Sequence, residues 1–168
     1  MIIRNLPELP KLLKKNQCLL GIDYGSKTIG IAVSDPNLRV ASPLTSITRK
    51  KFPQDAAALI QIISERTIGG LIMGLPKNLE GGEGPMAQAA RAFIRNLSQF
   101  KDMPDPEMPV VFWDERFSTA AVERFMIEGD MSRKRREAVI DKAAAAYILQ
   151  GALDVAQAFI VVGHQIVL

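Results

Sequence analysis

Three short stretches put carboxylates where a fold could gather them. Residues 19–35 read LLGIDYGSKTIGIAVSD, with Asp23 near the end of an apolar run and glycines at 21, 25 and 30. WDERFST sets Asp114 and Glu115 directly after the apolar run Val110 to Trp113. Asp141 opens DKAAAAYILQ, on a helical stripe shared with Ala144, Ala145, Ile148, Leu149 and Ala152. Adjacent acids on a strand point to opposite sides, so only one of Asp114 and Glu115 should face a common site. Carboxylates held together repel unless they are protonated or bridged by hard cations. Mg²⁺ and Mn²⁺ prefer oxygen ligands, and two such ions about 3.5–4 Å apart can activate water and stabilise a leaving oxygen. That chemistry suits phosphodiester hydrolysis and needs no covalent intermediate. Taken singly, each position has a plainer reading: Asp23 as a turn cap, Asp114 and Glu115 as solvated loop acids, Asp141 as an exposed first turn.

Composition narrows the field. The 168 residues include one cysteine, Cys18, and one histidine, His164, so an internal disulfide is excluded and a Cys/His zinc cluster or a histidine-based triad is poorly supported. Acid–base or metal chemistry then falls to Asp and Glu. A net charge of +3 favours an anionic partner only mildly. No run approaches the roughly 18 uninterrupted apolar residues of a membrane span. MIIRNLPELPKLLKKNQ, broken by prolines and charges, reads as neither signal peptide nor anchor. The expectation is a cytoplasmic protein without a membrane partner.

Periodicity supplies the elements that must position these groups. Cys18 to Gly25, Ile29 to Ser34 and Val40 to Ile47 read as strands, and Ile68 to Gly74 and Val110 to Trp113 as buried ones. Ala56, Leu59, Ile60 and Ile63 mark a helix. A second helix follows Pro85, with Met86, Ala90, Phe93, Ile94 and Leu97 inward. A third is expected from Ser118 or Thr119 to Gly129, and a last one from about Val139. A meander followed by helix-linked strands predicts an α/β fold, a mixed five-stranded sheet with helices on both faces. Right-handed crossovers would set strands 18–25, 68–74 and 110–113 parallel and adjacent, their C-terminal ends sharing one edge. On the first strand, Gly21, Asp23 and Gly25 share a face otherwise nearly bare, which predicts a cleared platform beside the carboxylate.

DYGSKTIGIAVSD, GLPKNLEGGEGPMAQAARAFIRNL, WDERFST and DKAAAAYILQ together resemble the successive signatures of the YqgF/RuvX family, in order over residues 18–154. The resemblance implies an RNase H-like fold. It also implies a nuclease acting on phosphodiester bonds, described for the family both as Holliday-junction-resolvase-like and as processing pre-16S rRNA in ribosome biogenesis. It selects Glu115 over Asp114, giving Asp23, Glu115 and Asp141 as catalytic metal ligands for Mg²⁺ or Mn²⁺, with two ions expected. Asp35 looks more like a turn residue. The organisation then reads as an extension over 1–17, the nuclease domain over 18–154, and an apolar tail over 155–168.

A nuclease must also grip its substrate. Lys27 and Lys77 fall in loops at the proposed edge, Arg116 follows the acidic pair, and Arg133, Lys134, Arg135 and Arg136 form a basic run just before Asp141. GLPKNLEGGEGP joins a strand to a helix without the Gly-Lys-Ser/Thr ending of a Walker A loop. Its amides and the helix N-terminus could meet a phosphate. Contacts of this kind weaken steeply with salt and do not distinguish DNA from RNA. The partner is a nucleic acid, an RNA precursor or branched DNA, and the protein a monomer or homodimer. Two rival readings are a sugar-kinase or actin-like ATPase, which needs a second related domain that 168 residues are not expected to hold, and a non-catalytic RNA- or protein-binding module.

Overall fold

The second strand shows how the sheet begins. The computed structural model describes residues 1–78, 80–114 and 133–165. Within them β2 (Cys18–Tyr24), β3 (Thr28–Ser34) and β4 (Ala41–Thr48) form an antiparallel meander. β5 (Ile68–Leu75) and β6 (Pro109–Asp114) add on the other side of β2, both parallel to it. Every residue of β5 is buried, as an apolar strand covered on both faces requires. These are the five expected strands. A sixth, β1 (Ile2–Ile3), pairs in parallel with β6, so the order is β1-β6-β5-β2-β3-β4.

Helices cover both faces. α2 (Phe52–Glu65) and α3 (Pro85–Ser98) pack large side chains, among them Leu59, Ile63, Phe93 and Leu97, against Leu20, Ile22, Ile29 and Ile31. The opposite face carries α1 (Leu9–Leu12), whose Leu9 is fully buried, and α4 (Arg133–Gln165). α4 buries Ala145, Ile148, Leu149, Ala152 and Leu153 on that face.

Two expectations need adjusting. α4 begins at Arg133, six residues before the expected start at Val139, because RKRREA lacks an apolar stripe yet consists of good helix formers. It also runs without a break to Gln165, through most of the apolar tail. The helix expected between Ser118 or Thr119 and Gly129 lies outside the described residues. The stretch Lys142–Ile160 has the length and mean hydropathy, 1.3, of a membrane span. One side of it is nevertheless committed to the sheet core, and Gln150 and Gln157 on it bond polar backbone.

Candidate active site

Three parallel strands end at one edge. β2 ends with Asp23 and Tyr24, and the register that pairs Leu75 with Asp114 ends β5 and β6 side by side. The direction of α4 over this sheet follows from its polar ties. Gln150 accepts from the Ala41 N–H at 2.8 Å and donates to the Arg39 carbonyl at 2.9 Å, while Gln157 donates to Leu38 at 3.0 Å. The 35–41 turn they hold lies beside the start of β2, where the Leu19 N–H donates to Ser34 Oγ at 2.9 Å. Earlier in α4, Ala145 and Leu149 cover Gly21. The helix therefore runs antiparallel to β2, and its N-terminal part extends toward the edge that holds Asp23.

Gly21 explains the bare face of β2. A Cβ built there would lie 2.7 Å from Leu149 Cβ and 2.8 Å from the Ala145 carbonyl oxygen, a distance real Cβ atoms do not adopt. The small residues expected to clear a platform for ion and substrate instead admit α4 onto the strand at this point. Gly151 plays a similar part against β6, where an added Cβ would come within 3.1 Å of the Trp113 ring.

The acidic residues fall into three cases. Asp23, half-buried, follows Leu19 and Gly21 on the α4 face of β2 and pairs across the hairpin with Gly30. Asp141 lies in α4 one turn before Ala145, so its backbone stands on the part of the helix that points toward this edge. Glu115 and Arg116 lie outside the described residues. Among the described residues no three Asp, Glu, His or Cys side chains gather as a metal centre. Asp114 is on the wrong face to join Asp23. Val110 and Phe112 belong to the α2/α3 core while Val111 and Trp113 meet α4, so alternation sends Asp114 to the α2/α3 side. There its Oδ2 lies 3.9 Å from Lys77 Nζ. Asp35 is at the opposite edge. Its carboxylate accepts the N–H groups of Asn37, Arg39 and Val40 at 3.1, 2.7 and 2.8 Å, closing the turn after β3. Desolvation pulls its pKa up, but these backbone bonds outweigh it and hold the group below its ordinary 3.8.

The cationic candidates also divide. Lys27 is exposed in the turn that follows β2. Lys77 is half-buried in the 76–84 loop, shared between Asp114 and the backbone bridge it makes with Glu83. The loop is built to hold its shape. Asn78 N–H donates to Gly82 at 2.9 Å, Gly81 N–H to Asn78 at 2.8 Å, and Gly81 takes φ 87°, a conformation that favours glycine. Arg91 of α3 clamps Glu83 through Nε and Nη2 at 2.8 and 2.6 Å and lies 4.4 Å over the Phe112 ring. The Arg91 bond holds the Glu83 carboxyl below its usual range. A cavity of about 250 Å³ opens between this loop and the start of α3, lined by Lys77, Asn78, Gly84 and Pro85. The backbone of Arg133 to Arg136 forms the first turn of α4.

Sequence reasoning passed over Arg49 and Asp55. Asp55 is 1% exposed, inside α2, and Arg49 leads from the end of β4 back to the turn after Asp23. A signal was present: positions 55, 59 and 63 share the buried stripe of α2, and a carboxylate on such a stripe needs a partner.

Comparison with known proteins agrees with this architecture. The sequence profile of RuvX, described as Holliday junction resolvase, matches residues 17–155. A protein of Rhodospirillum centenum is 55% identical over 154 residues, 92% of this chain and 82% of that protein. One of Paracoccus denitrificans is 53% identical over 154 residues, 92% of this chain and 94% of that protein. Both are named as candidate pre-16S rRNA nucleases. The solved structure of T. thermophilus RuvC in complex with a Holliday junction substrate aligns with a TM-score of 0.50 at 14% identity, covering 79% of this chain and 91% of that one. Across so low an identity the likeness is one of fold, here RNase H-like.

Proposed function

The chain belongs to the RuvX family, and from that premise we propose that it is a cytoplasmic, metal-dependent nuclease that hydrolyses phosphodiester bonds at the 5′ end of pre-16S rRNA. The observation that carries the reading is the sense of α4. Running antiparallel to β2, it brings the part of the helix that carries Asp141 toward the edge that holds Asp23, which supports a site shared by these two acids and Glu115. In this reading Asp23, Glu115 and Asp141 hold two Mg²⁺ or Mn²⁺ ions.

The donor chemistry fits hard cations. Cys18 begins β2 at the far end from Asp23, and His164 is 23 residues along α4 from Asp141, roughly 35 Å at the helical rise. Softer ligands are therefore remote, and oxygen donors remain. Bound there, such ions supply an activated water and charge stabilisation at the leaving oxygen. The protein's own part is to orient and hold. Asp23 is fixed on the sheet, and Lys27, Lys77, Arg116, Arg133, Lys134, Arg135 and Arg136 draw in the phosphate backbone. Lys77 exchanges its carboxylate neighbour Asp114 for a phosphate oxygen when the substrate arrives.

The test offers the purified chain an RNA fragment with an unprocessed 16S 5′ end and, separately, a four-way DNA junction, each with Mg²⁺ or Mn²⁺. The RNA is expected to be cut. Asp23→Asn should reduce the rate about 100- to 1000-fold, the scale for removing one preorganised electrostatic group, with an unchanged circular dichroism spectrum. Cleavage of the junction alone would move the substrate to branched DNA, and cleavage of neither would leave a binding module.

A further inference from the structure

Arg49 makes an unusual set of contacts with the hairpin that carries Asp23. Its backbone N–H donates to the Lys27 carbonyl at 2.9 Å, and its Nη1 donates to the Gly25 carbonyl at 3.1 Å. Its guanidinium carbon lies 4.4 Å over the ring of Tyr24, the residue after Asp23. The turn itself is tight. Gly25 N–H donates to Thr28 at 2.9 Å, and a Cβ on Gly25 would meet that same carbonyl oxygen at 2.7 Å. One side chain thus grips the ring next to Asp23 and the carbonyl after it, and its own amide fixes the loop that presents Lys27.

Beneath Arg49 lies Asp55. Its Oδ1 accepts the Lys50 N–H at 2.9 Å, and its Oδ2 lies 3.7 Å from Arg49 Nε, with neither of those two atoms in a hydrogen bond. An ion pair held at 3.7 Å, beyond hydrogen-bonding distance and with its carboxylate buried, is a poor way to stabilise a fold, since desolvation offsets much of the attraction. The guanidinium sits instead where Gly25 and Tyr24 require it, and the buried carboxylate keeps it there.

We propose that Arg49, oriented by Asp55, is a positioning residue for the candidate active site. The inference rests on the reading of Asp23 as a metal ligand. Its mechanism is strand alternation. Tyr24 is pinned on the α2/α3 face between the guanidinium and Phe93, whose ring centroid lies 5.0 Å away, and pinning Tyr24 fixes Asp23 on the opposite face. Arg49 touches neither substrate nor metal. It acts by limiting the motion of the strand end whose carboxylate does.

Titration calorimetry with Mn²⁺ on the full chain, paired with urea unfolding, separates positioning from a merely structural role. The double variant Arg49→Met/Asp55→Leu replaces the half-buried arginine and the buried carboxylate with apolar side chains and should unfold at the same urea concentration as the wild type or higher. Its Mn²⁺ affinity should still fall about 10-fold, the lower end of what loss of a group supporting a metal ligand costs. The rate of RNA cleavage should fall with it while KM for RNA holds. Arg49→Lys keeps the charge but loses the planar two-sided contact, and should stay impaired in Mn²⁺ affinity. It carries the test if the double variant does not fold. Wild-type Mn²⁺ affinity in the double variant or, failing that, in Arg49→Lys overturns the inference and leaves the nuclease reading intact. Absence of Mn²⁺ binding by the wild type overturns the metal reading and this inference together.

Discussion

The two faces of the sheet are packed on different principles. Against α2 and α3 the sheet presents Leu20, Ile22, Ile29 and Ile31, and the helices answer with large side chains and an aromatic group of Phe52, Phe93 and Phe100. Against α4 it presents Gly21 and Ala32 among Leu19, Ile72 and Val111, and the helix answers with alanines beside Ile148 and Leu149. The first face is thick and buries much apolar surface per residue. The second is thin and brings backbone close to backbone. Thickness gives stability, while closeness determines where a helix end lies relative to a strand end, which is what a site assembled from both requires. The division predicts that mutations on the two faces fail in different ways.

The largest effect on stability should come from the thick face. Leu59, fully buried against the sheet, leaves a cavity when cut to Ala, and Leu59→Ala should cost about 2–5 kcal/mol in urea unfolding. The fraction still folded should cleave RNA at the wild-type rate. Equal losses in stability and in rate per folded molecule would dissolve the distinction between the faces.

A smaller change in volume should do more damage to function on the thin face. Gly21→Ala drives a methyl group against Leu149 Cβ and the Ala145 carbonyl at 2.7 and 2.8 Å, and backbone cannot swing away as a side-chain tip can. Overpacking of this kind costs about 1–3 kcal/mol. Because relief requires lifting α4 off β2, cleavage per folded molecule should fall along with stability, unlike in Leu59→Ala. A stable Gly21→Ala protein with full activity would show that the close approach does not set the site.

These two faces were unequally legible from the sequence. The thick one announces itself, since alternating Leu and Ile on strands and 3.6-residue stripes on α2 and α3 have few other uses. The five strands, their parallel core and the helices on both sides follow from that pattern. The thin face turns on a residue that carries no hydrophobic signal, Gly21. Gly21 reads equally well as room for a ligand or room for a helix, and only the position of Leu149 decides. The start of α4 was missed for a related reason, because charged helix formers such as Arg133 to Glu137 carry propensity without periodicity. Asp55 was hidden by its type, as a carboxylate is struck from an apolar stripe even when its spacing fits. For the candidate site, alternation along β2 put Asp23 on its face, but direction came from three-dimensional ties. Gln150 and Gln157, polar and far from any motif, are what orient α4 over the strand.

Those glutamines lead to the smallest prediction, at the far edge, where the thin face is anchored. Both bond backbone in the 37–41 segment, in a turn that includes Leu38 at φ 56° and is shaped by three backbone N–H bonds to Asp35. Asp35 has a depressed pKa, so in the folded state it gives up its proton more readily than in the unfolded chain. Its stabilising contribution is therefore complete well above the ordinary carboxylate value of 3.8 and is lost as pH falls through the lower folded value. The group is partly exposed, and water and salt screen it, which limits the effect to less than about 1 kcal/mol. Asp35→Asn keeps an acceptor oxygen but loses the charge. The variant should trail the wild type in urea midpoint at pH 7 by a small margin that closes as the solution is brought toward pH 3. If α4 is docked through this turn, the same variant at pH 7 should also speed amide exchange at Ala41, whose N–H is bonded to Gln150, while amides in α3 stay unchanged. A gap that persists or widens on acidification would mean that Asp35 supports the turn by shape rather than by charge, and that the anchor of the thin face does not depend on ionisation.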